Sequence, residues 1–280
     1  MAGPAEPRGP QRPGRVRRRS ADILLVGDAD ILAMATSLQN SRQRGVVAAG
    51  GLSPEQVAEL RAGLSRPFSV RRPVHPMLAR QTALRTLIVG DYRSKDTTVT
   101  QVAGWAANLG LNARTVASLE QGVDELLLNA LYDAPQDASG RPRYVALSPR
   151  QRLESKALPG EQAEVRFGAD SRRVVVSVRD RFGTLRRGTV LSYLIRCATA
   201  QSARRSPLEQ KAGGAGVGLY LVAGAASELL FRLRRDRSTE VIFVVYRDRS
   251  RPLRALVIDD EEGIGWGRGG PTALERAAGR

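Results

Sequence analysis

The stretch DELLLNALYDAP, residues 124–135, places a carboxylate and a carboxamide one helical turn apart in an otherwise apolar segment. Glu125 and Asn129 are four residues apart, so they share one face of a helix. Asp133 lies one turn further on, and Pro135 is expected to end the helix. Apolar residues recur at helical spacing along the same segment: Val116, Leu119, Val123, Leu126 and Ala130. The polar pair is either the solvated edge of a core helix or part of a functional site. The choice between these interpretations depends on the rest of the sequence.

Two further segments carry polar or glycine-rich patterns that fit the second interpretation. In VRDRFGTL, residues 178–185, Asp180 ends an apolar strand and Gly183 follows. In GGAGVGL, residues 213–219, glycines alternate before an apolar helix. Taken singly, the first is an ordinary strand-end turn, and the second is a tight connection.

Taken together, the three segments match the chemistry of nucleotide binding. Backbone N–H groups of a glycine-rich turn at a helix N-terminus can approach phosphate oxygens. Mg²⁺ prefers oxygen ligands, which a carboxamide supplies. A glutamate nearby can take a proton from an attacking hydroxyl or water. An aspartate at a strand end can accept a hydrogen bond from an exocyclic amine such as that of adenine.

The order and type of these motifs resemble the GHKL (histidine kinase-like) ATPase superfamily. ELLLNA at 125–130 is similar to its E-x-x-x-N-A box, and GAGVGL at 214–219 to its G-x-G-x-G-L box. DRFG at 180–183 is similar to its adenine-contacting box, and STEV at 238–241 to its terminal Gly-Thr segment. The resemblance covers residues 75–250.

The resemblance implies ATP and Mg²⁺ as cofactors and assigns roles to particular residues. Asn129 would coordinate Mg²⁺, Glu125 would act as general base or orient the nucleophile, and Asp180 would contact adenine. Residues 184–211 would form a lid over the nucleotide. The other nucleotide-binding residues that it implies are Asp133, Gly183, Lys211, Gly214, Gly216, Gly218, Leu219 and Thr239.

The chain departs from the family pattern at two places. The usual adenine box is D-x-G-x-G, but Phe182 and Thr184 occupy the glycine positions and Gly183 is offset by one. Ser238 stands where a glycine would precede Thr239. Both departures reshape the expected pocket and keep the glutamate, asparagine and aspartate that the chemistry needs.

The resemblance and the strand patterns predict an α+β fold. The resemblance implies a two-layer sandwich in which helices cover one face of a mixed, mainly antiparallel sheet, the Bergerat ATP-binding fold. Two hairpins are expected from β-branched runs separated by Gly, Asp or Ser: AEVRFGAD with RRVVVSVRD, and ELLFRLRR with TEVIFVVYRD. Helices are expected at MLARQTALRTLIVG (77–90), TTVTQVAGWAANLG (97–110) and TVLSYLIRCAT (189–199), with a loop over 136–160.

The sequence outside the ATP-binding region, 75–250, divides into three parts. Residues 1–20 are rich in Pro, Gly and Arg and are expected to be a disordered tail. Residues 21–72 read as a small β-α-β-α unit for docking or regulation, whose second helix begins at Ser53 with Pro54 in its first position. Residues 251–280 are expected to form a C-terminal tail.

Composition narrows the class of protein. The chain is 42% hydrophobic, enough for a sizeable core, and has no apolar run of about 18 residues that would span a membrane. The basic N-terminal stretch is not followed by the apolar run of a secretory signal. Cys197 is the only cysteine, which excludes an intrachain disulfide framework. We therefore expect a cytoplasmic protein without a membrane partner.

The net charge of +16 invites a nucleic-acid-binding interpretation, which its distribution weakens. Residues 1–20 carry +5 and residues 251–280 carry no net charge, so +11 is spread over the long middle. Arginine supplies 41 of the 44 basic residues, as a general coding bias would. A basic surface alone is weak evidence for nucleic acid, and we expect none as partner.

Three functions remain in order of preference. His75, the sole histidine, stands between Pro73 and Pro76, which argues against a phosphoacceptor helix and a sensor histidine kinase. The small size resembles anti-sigma-factor serine kinases and stand-alone ATP-binding regulators of bacteria. This implies a protein Ser/Thr kinase acting on a regulatory protein partner, with a homodimer left open. The alternatives are a non-catalytic nucleotide-sensing module and a nucleic-acid-associated protein using its Arg-rich arm.

Overall fold

The computed structural model describes residues 23–65, 78, 82–137, 139–144, 147–203, 217–247 and 253–260. The described strands are β1 (Ile23–Val26), β2 (Gly45–Ala48), β3 (Arg85–Val89), β4 (Ala163–Ala169), β5 (Arg173–Asp180), β6 (Glu228–Arg234), β7 (Ser238–Tyr246) and β8 (Ala255–Asp260). The described helices are α1 (Ile31–Gln39), α2 (Pro54–Leu64), α3 (Tyr92–Asn108), α4 (Ala113–Leu128), α5 (Pro149–Glu154), α6 (Arg187–Ser202) and α7 (Val217–Ala225). A single π-helical turn, Asn129–Asp133, follows α4 directly.

The described strands form one sheet in the order β1-β2-β8-β6-β7-β5-β4-β3. β1 pairs with β2, and β6 with β8, in parallel; the other neighbouring pairs are antiparallel. The predicted α+β class with a mixed, mainly antiparallel sheet is confirmed. So are both hairpins, β4–β5 and β6–β7.

Side chains alternate between two buried layers along the central strands, as the pleat of a strand requires. In β7, Val241, Phe243 and Val245 face the layer that holds α1, α3, α4, α6 and α7, and Ile242 and Val244 face the opposite layer. That second layer is capped by Leu60 and Leu64 of α2. The helices after residue 90 that contribute to the larger core are α3, α4, α6 and α7. They cover one face of the sheet, whereas α2 lies on the other face.

The structure corrects the helix predicted over residues 77–90. Residues 85–89 form β3, which pairs with β4 at one edge of the described sheet. Its short apolar run, Leu87 to Val89, is too short for periodicity to separate a strand from a helix. The structure also places a short helix, α5, within residues 136–160, which were predicted to form a loop.

Residues 23–65 show the predicted β-α-β-α order. Ser53 caps α2 as expected: Gln56 N donates to Ser53 Oγ (3.3 Å), and Ser53 N donates to the Gln56 side chain (2.9 Å). This unit joins the main sheet because β2 pairs with β8.

Part of the predicted C-terminal tail is therefore a strand. Residues 255–260 form β8 in the middle of the sheet, and Ala255, Leu256 and Val257 have no exposed surface. In the sequence, this strand is visible only as four apolar residues before an acidic pair. So short a run does not distinguish a buried strand from a mobile C-terminal end. The remainder of that tail, and the arm over residues 1–20, lie outside the described residues. Among the described helices, none has the length and apolarity to cross a membrane.

Candidate functional site

A cavity of about 240 Å³ lies between the C-terminal end of α4, the strands β5 and β7, and the helix α6. Its walls are mainly apolar, with a few polar groups that converge on the space. This is the usual character of a small-molecule site. The lining residues are Leu126, Asn129, Ala130, Asp133, Ala134, Gln136, Val178, Asp180, Thr184, Leu185, Thr189, Tyr193, Leu219, Thr239 and Val241.

Asp180 is the most buried acidic group of this wall, with 6% of its surface exposed. It ends β5 directly opposite Thr239 of β7. Its Oδ1 accepts three backbone hydrogen bonds, from Phe182 N (2.8 Å), Gly183 N (3.0 Å) and Thr239 N (3.3 Å). Three donors on one oxygen hold the carboxylate in place at the wall of the cavity.

Burial raises the pKa of the Asp180 carboxyl, and the backbone N–H groups that bind Oδ1 oppose this by lowering it. Thr239 is 5% exposed, and its hydroxyl also lowers the pKa of Asp180. However, Thr239 Oγ1 makes no hydrogen bond of good geometry with any described residue. Buried polar atoms normally find a partner, so Thr239 Oγ1 offers hydrogen-bonding capacity at the cavity beside Asp180.

Gly183, which was predicted to contact nucleotide, is not a lining residue of the cavity. Its φ is +61°, and its carbonyl accepts a hydrogen bond from Arg186 Nη1. A Cβ there would come within 2.7 Å of the backbone nitrogens of Arg237 and Ser238. The turn between β6 and β7 therefore packs on Gly183, and this contact holds the loop that presents Phe182 N and Gly183 N to Asp180. Gly183 therefore supports the loop that holds Asp180 and does not line the cavity itself.

The π-helical turn carries Asn129 and Asp133 to the same cavity. The hydrogen bond that defines this turn spans five residues: Ala134 N donates to Asn129 O (2.8 Å). Isolated π-turns within helices occur frequently at functional sites. The Asn129 side chain makes no hydrogen bond to a described residue, so its oxygen and amide remain available. The structure thus brings together Asn129, Asp133 and Asp180, as the sequence predicted.

Glu125 occupies a different position from Asn129 although it lies one turn away on the same helix. It is half-buried and is not among the lining residues. Gly218, in the first turn of α7, lies so close that a Cβ there would overlap Glu125 Oε2 and approach Cδ to 3.0 Å. Burial raises the pKa of the Glu125 carboxyl, and the neighbouring charges of Asp124 and Asp133 raise it further.

A buried lysine sits beside these carboxylates. Lys95 of α3 has 2% of its side chain exposed and forms ion pairs with Asp124 and, at 3.0 Å, with Asp96. Its charge lowers the pKa of Glu125 and so partly offsets the two aspartates. Lys95 therefore sets the charge balance behind the cavity wall.

Three predicted residues, Lys211, Gly214 and Gly216, lie outside the described residues. Leu219 and Thr239, which were predicted to bind nucleotide, line the cavity. Sequence reasoning had assigned residues 184–211 to a lid without naming Thr184, Leu185, Thr189 or Tyr193, all of which line the cavity. Thr189 and Tyr193 are four residues apart in a predicted helix, and that spacing was the available signal.

The part of the chain that the structure describes contains no group of three or more His, Cys, Asp or Glu side chains arranged to hold a metal ion. No protein-family model matches the chain, and no curated protein matches it.

Proposed function

We propose that this chain is a Mg²⁺-ATP-binding regulatory protein of the histidine kinase-like ATPase type, and that the nucleotide binds in the cavity between α4, β5 and α6. The observation that carries the proposal is the convergence of Asn129 and Asp180 on one mainly apolar cavity. These residues come from motifs far apart in the sequence.

The part of the cavity lined by Asp180 and Thr239 suits a heteroaromatic base. Asp180 Oδ2 is held in place by the three bonds to Oδ1 and can accept a hydrogen bond from an exocyclic amine. Thr239 Oγ1 can donate or accept beside it. Leu126, Val178 and Val241 supply apolar walls. At about 240 Å³ the cavity lies below the roughly 300–1,000 Å³ of sites that enclose a whole ligand, so a base with part of its sugar would fill it.

The part of the cavity lined by Asn129 and Asp133 suits a magnesium ion bound through a nucleotide. Both side chains carry oxygen atoms, and Mg²⁺ characteristically takes one or two protein oxygens plus phosphate oxygens and water. When bound, Mg²⁺ would neutralise phosphate charge. We propose that Asn129 is its protein ligand.

The proposed activity is transfer of the γ-phosphoryl group of ATP to the hydroxyl oxygen of a serine or threonine of a regulatory protein partner, with ADP as the leaving group. Glu125 would accept the proton of the attacking hydroxyl, and burial, which raises the pKa of its carboxyl, makes it a stronger base than an exposed glutamate. Lys211, Gly214 and Gly216 remain sequence predictions for phosphate contacts.

A second candidate is nucleotide sensing without transfer, and one observation favours it. Glu125 lies behind the cavity wall against Gly218 and not among the lining residues. In that case nucleotide occupancy would control partner binding and no phosphate would move. Transfer by the wild type that Glu125→Gln abolishes would support the first candidate. Nucleotide-dependent partner binding without transfer in either protein would support the second.

The test of nucleotide binding is titration calorimetry of the full chain with Mg²⁺ and a non-hydrolysable ATP analogue. Asp180→Asn keeps an oxygen for the backbone donors but turns an amide towards the base, so affinity should fall roughly 5- to 150-fold, the value of a buried polar group left unpaired. Asn129→Ala should weaken binding only when Mg²⁺ is present. Asp236→Asn is the matched control, since this exposed carboxylate lies in the neighbouring turn.

Two outcomes would contradict the proposal. One is a folded wild-type protein that does not bind the analogue. The other is equal affinity in the wild type and in Asp180→Asn, which would place the nucleotide elsewhere.

A further inference from the structure

The first residue of α6 ties this helix to the N-terminal unit. Arg187 Nη2 donates to Leu38 O (2.8 Å) and to Gln43 O (2.9 Å). Leu38 lies in the last turn of α1, where carbonyl groups lack partners within the helix and a cation is favoured. Burial lowers the pKa of Arg187, but an arginine remains charged in a protein. Its removal would leave the end of α1 without this bond.

The same helix presents two side chains to the cavity. Thr189 and Tyr193 of α6 line the cavity and are one turn apart. α6 also packs against α1, whose Met34, Ala35 and Leu38 have no exposed surface. A movement of α1 relative to the sheet must therefore displace α6 or break this packing.

The second helix of the cavity wall, α7, packs against α6, the helix that also packs against α1. Asp30 caps α1 by accepting a hydrogen bond from Ala33 N (2.8 Å). Burial raises the pKa of Tyr220 in α7, with smaller contributions from Cys197 and from Asp30. Tyr220 follows Leu219, which lines the cavity. Tyr220 Oη also donates to Gln201 of α6, so α7 is joined to the helix that packs against α1.

We propose that residues 23–65 form a regulatory unit for the cavity, in which α1 positions α6 and α7 and nucleotide binding is energetically coupled to the docking of α1. Arg187 is the positioning residue of this coupling. The inference rests on the proposed function. A partner that binds or displaces the unit would change nucleotide affinity, and nucleotide would change the affinity for that partner by the same factor.

The experiment compares Arg187→Met with Arg187→Lys in the full chain, by titration with Mg²⁺ and the non-hydrolysable ATP analogue. Residues that carry coupling without touching ligand change affinity roughly 2- to 30-fold. We expect a loss in that range for Arg187→Met and partial recovery for Arg187→Lys, which keeps a donor. Arg42→Met is the matched control, since Arg42 is exposed beside Gln43 and makes no bond to a described residue.

A second measurement separates coupling from loss of stability. Hydrogen exchange of the α1 amides should slow when the analogue binds to the wild type, and this response should be absent in Arg187→Met. Wild-type affinity in Arg187→Met, or α1 exchange that ignores the analogue in the wild type, overturns the coupling and leaves nucleotide binding intact. No binding by the wild type removes the proposed function and the coupling together. If Arg187→Met does not fold, Arg187→Lys and the wild-type exchange data decide.

Discussion

The end of β5 and the C-terminal half of α4 each bring a carboxylate with a raised pKa to the same region, but they hold it differently. Asp180 is fixed by three backbone donors on one oxygen. Glu125 receives no hydrogen bond from the described residues and faces the like charges of Asp124 and Asp133. Burial is the largest cause of both shifts. A carboxylate fixed by hydrogen bonds, such as Asp180, suits ligand recognition. A carboxylate without such bonds, such as Glu125, suits proton exchange.

A glycine supports each carboxylate, again in different ways. Gly183 has a positive φ and lies under backbone atoms of the β6–β7 turn. Gly218 lies under the flexible side chain of Glu125 itself. Backbone cannot move away from an added methyl group, whereas a carboxylate can rotate. The following substitutions test that difference.

Gly183→Ala should have the largest effect on stability. The left-handed backbone costs about 1–2 kcal/mol for any residue with a Cβ, and overpacking against the turn adds about 1–3 kcal/mol. We expect the free energy of unfolding to fall by about 2–5 kcal/mol, measured by denaturant titration. Gly140→Ala is the control, because Gly140 has a φ of +78° and nothing within 4 Å of the added Cβ. Equal losses in the two variants would refute the packing role of Gly183.

Gly218→Ala should be milder, because Glu125 can turn aside. Gly224 lies on the same helix with nothing near its added Cβ, so Gly224→Ala should stabilise the protein by about 0.5 kcal/mol through helix propensity. We expect Gly218→Ala to be less stable than Gly224→Ala by about 1–2 kcal/mol, measured by thermal unfolding. Identical melting temperatures would show that Gly218 does not contact Glu125 in solution.

Glu125→Gln should have the smallest effect on stability and a diagnostic pH dependence. The folded pKa of Glu125 lies above its ordinary value of 4.5, so the unfolded chain loses this proton first as pH rises. Stability should therefore decline from about pH 4.5 up through the higher folded pKa. Glu125→Gln removes that part of the decline and should be slightly more stable than wild type at pH 7. Unfolding curves at pH 4, 6 and 8 measure it, and a wild-type profile parallel to that of the variant would show that Glu125 does not carry the shift.

Sequence reasoning predicted the elements whose periodicity is strong and local. The helical spacing from Val116 to Ala130 gave α4, and alternating β-branched runs gave both hairpins. It also selected Asn129, Asp133, Asp180, Leu219 and Thr239, which the structure brings to one cavity.

By itself, then, the sequence determined which segments are helices and strands wherever burial imposes a period on them, and which polar residues interrupt those patterns. Only the tertiary structure decided that β8 completes the sheet between β2 and β6, that Gly183 supports a turn, and that Glu125 stands behind the wall. The physical reason is the separation along the sequence between the residues that interact. A local pattern reports whether a side chain is buried, but its partners come from strand pairings and helix contacts between residues as distant as Val46 and Leu256.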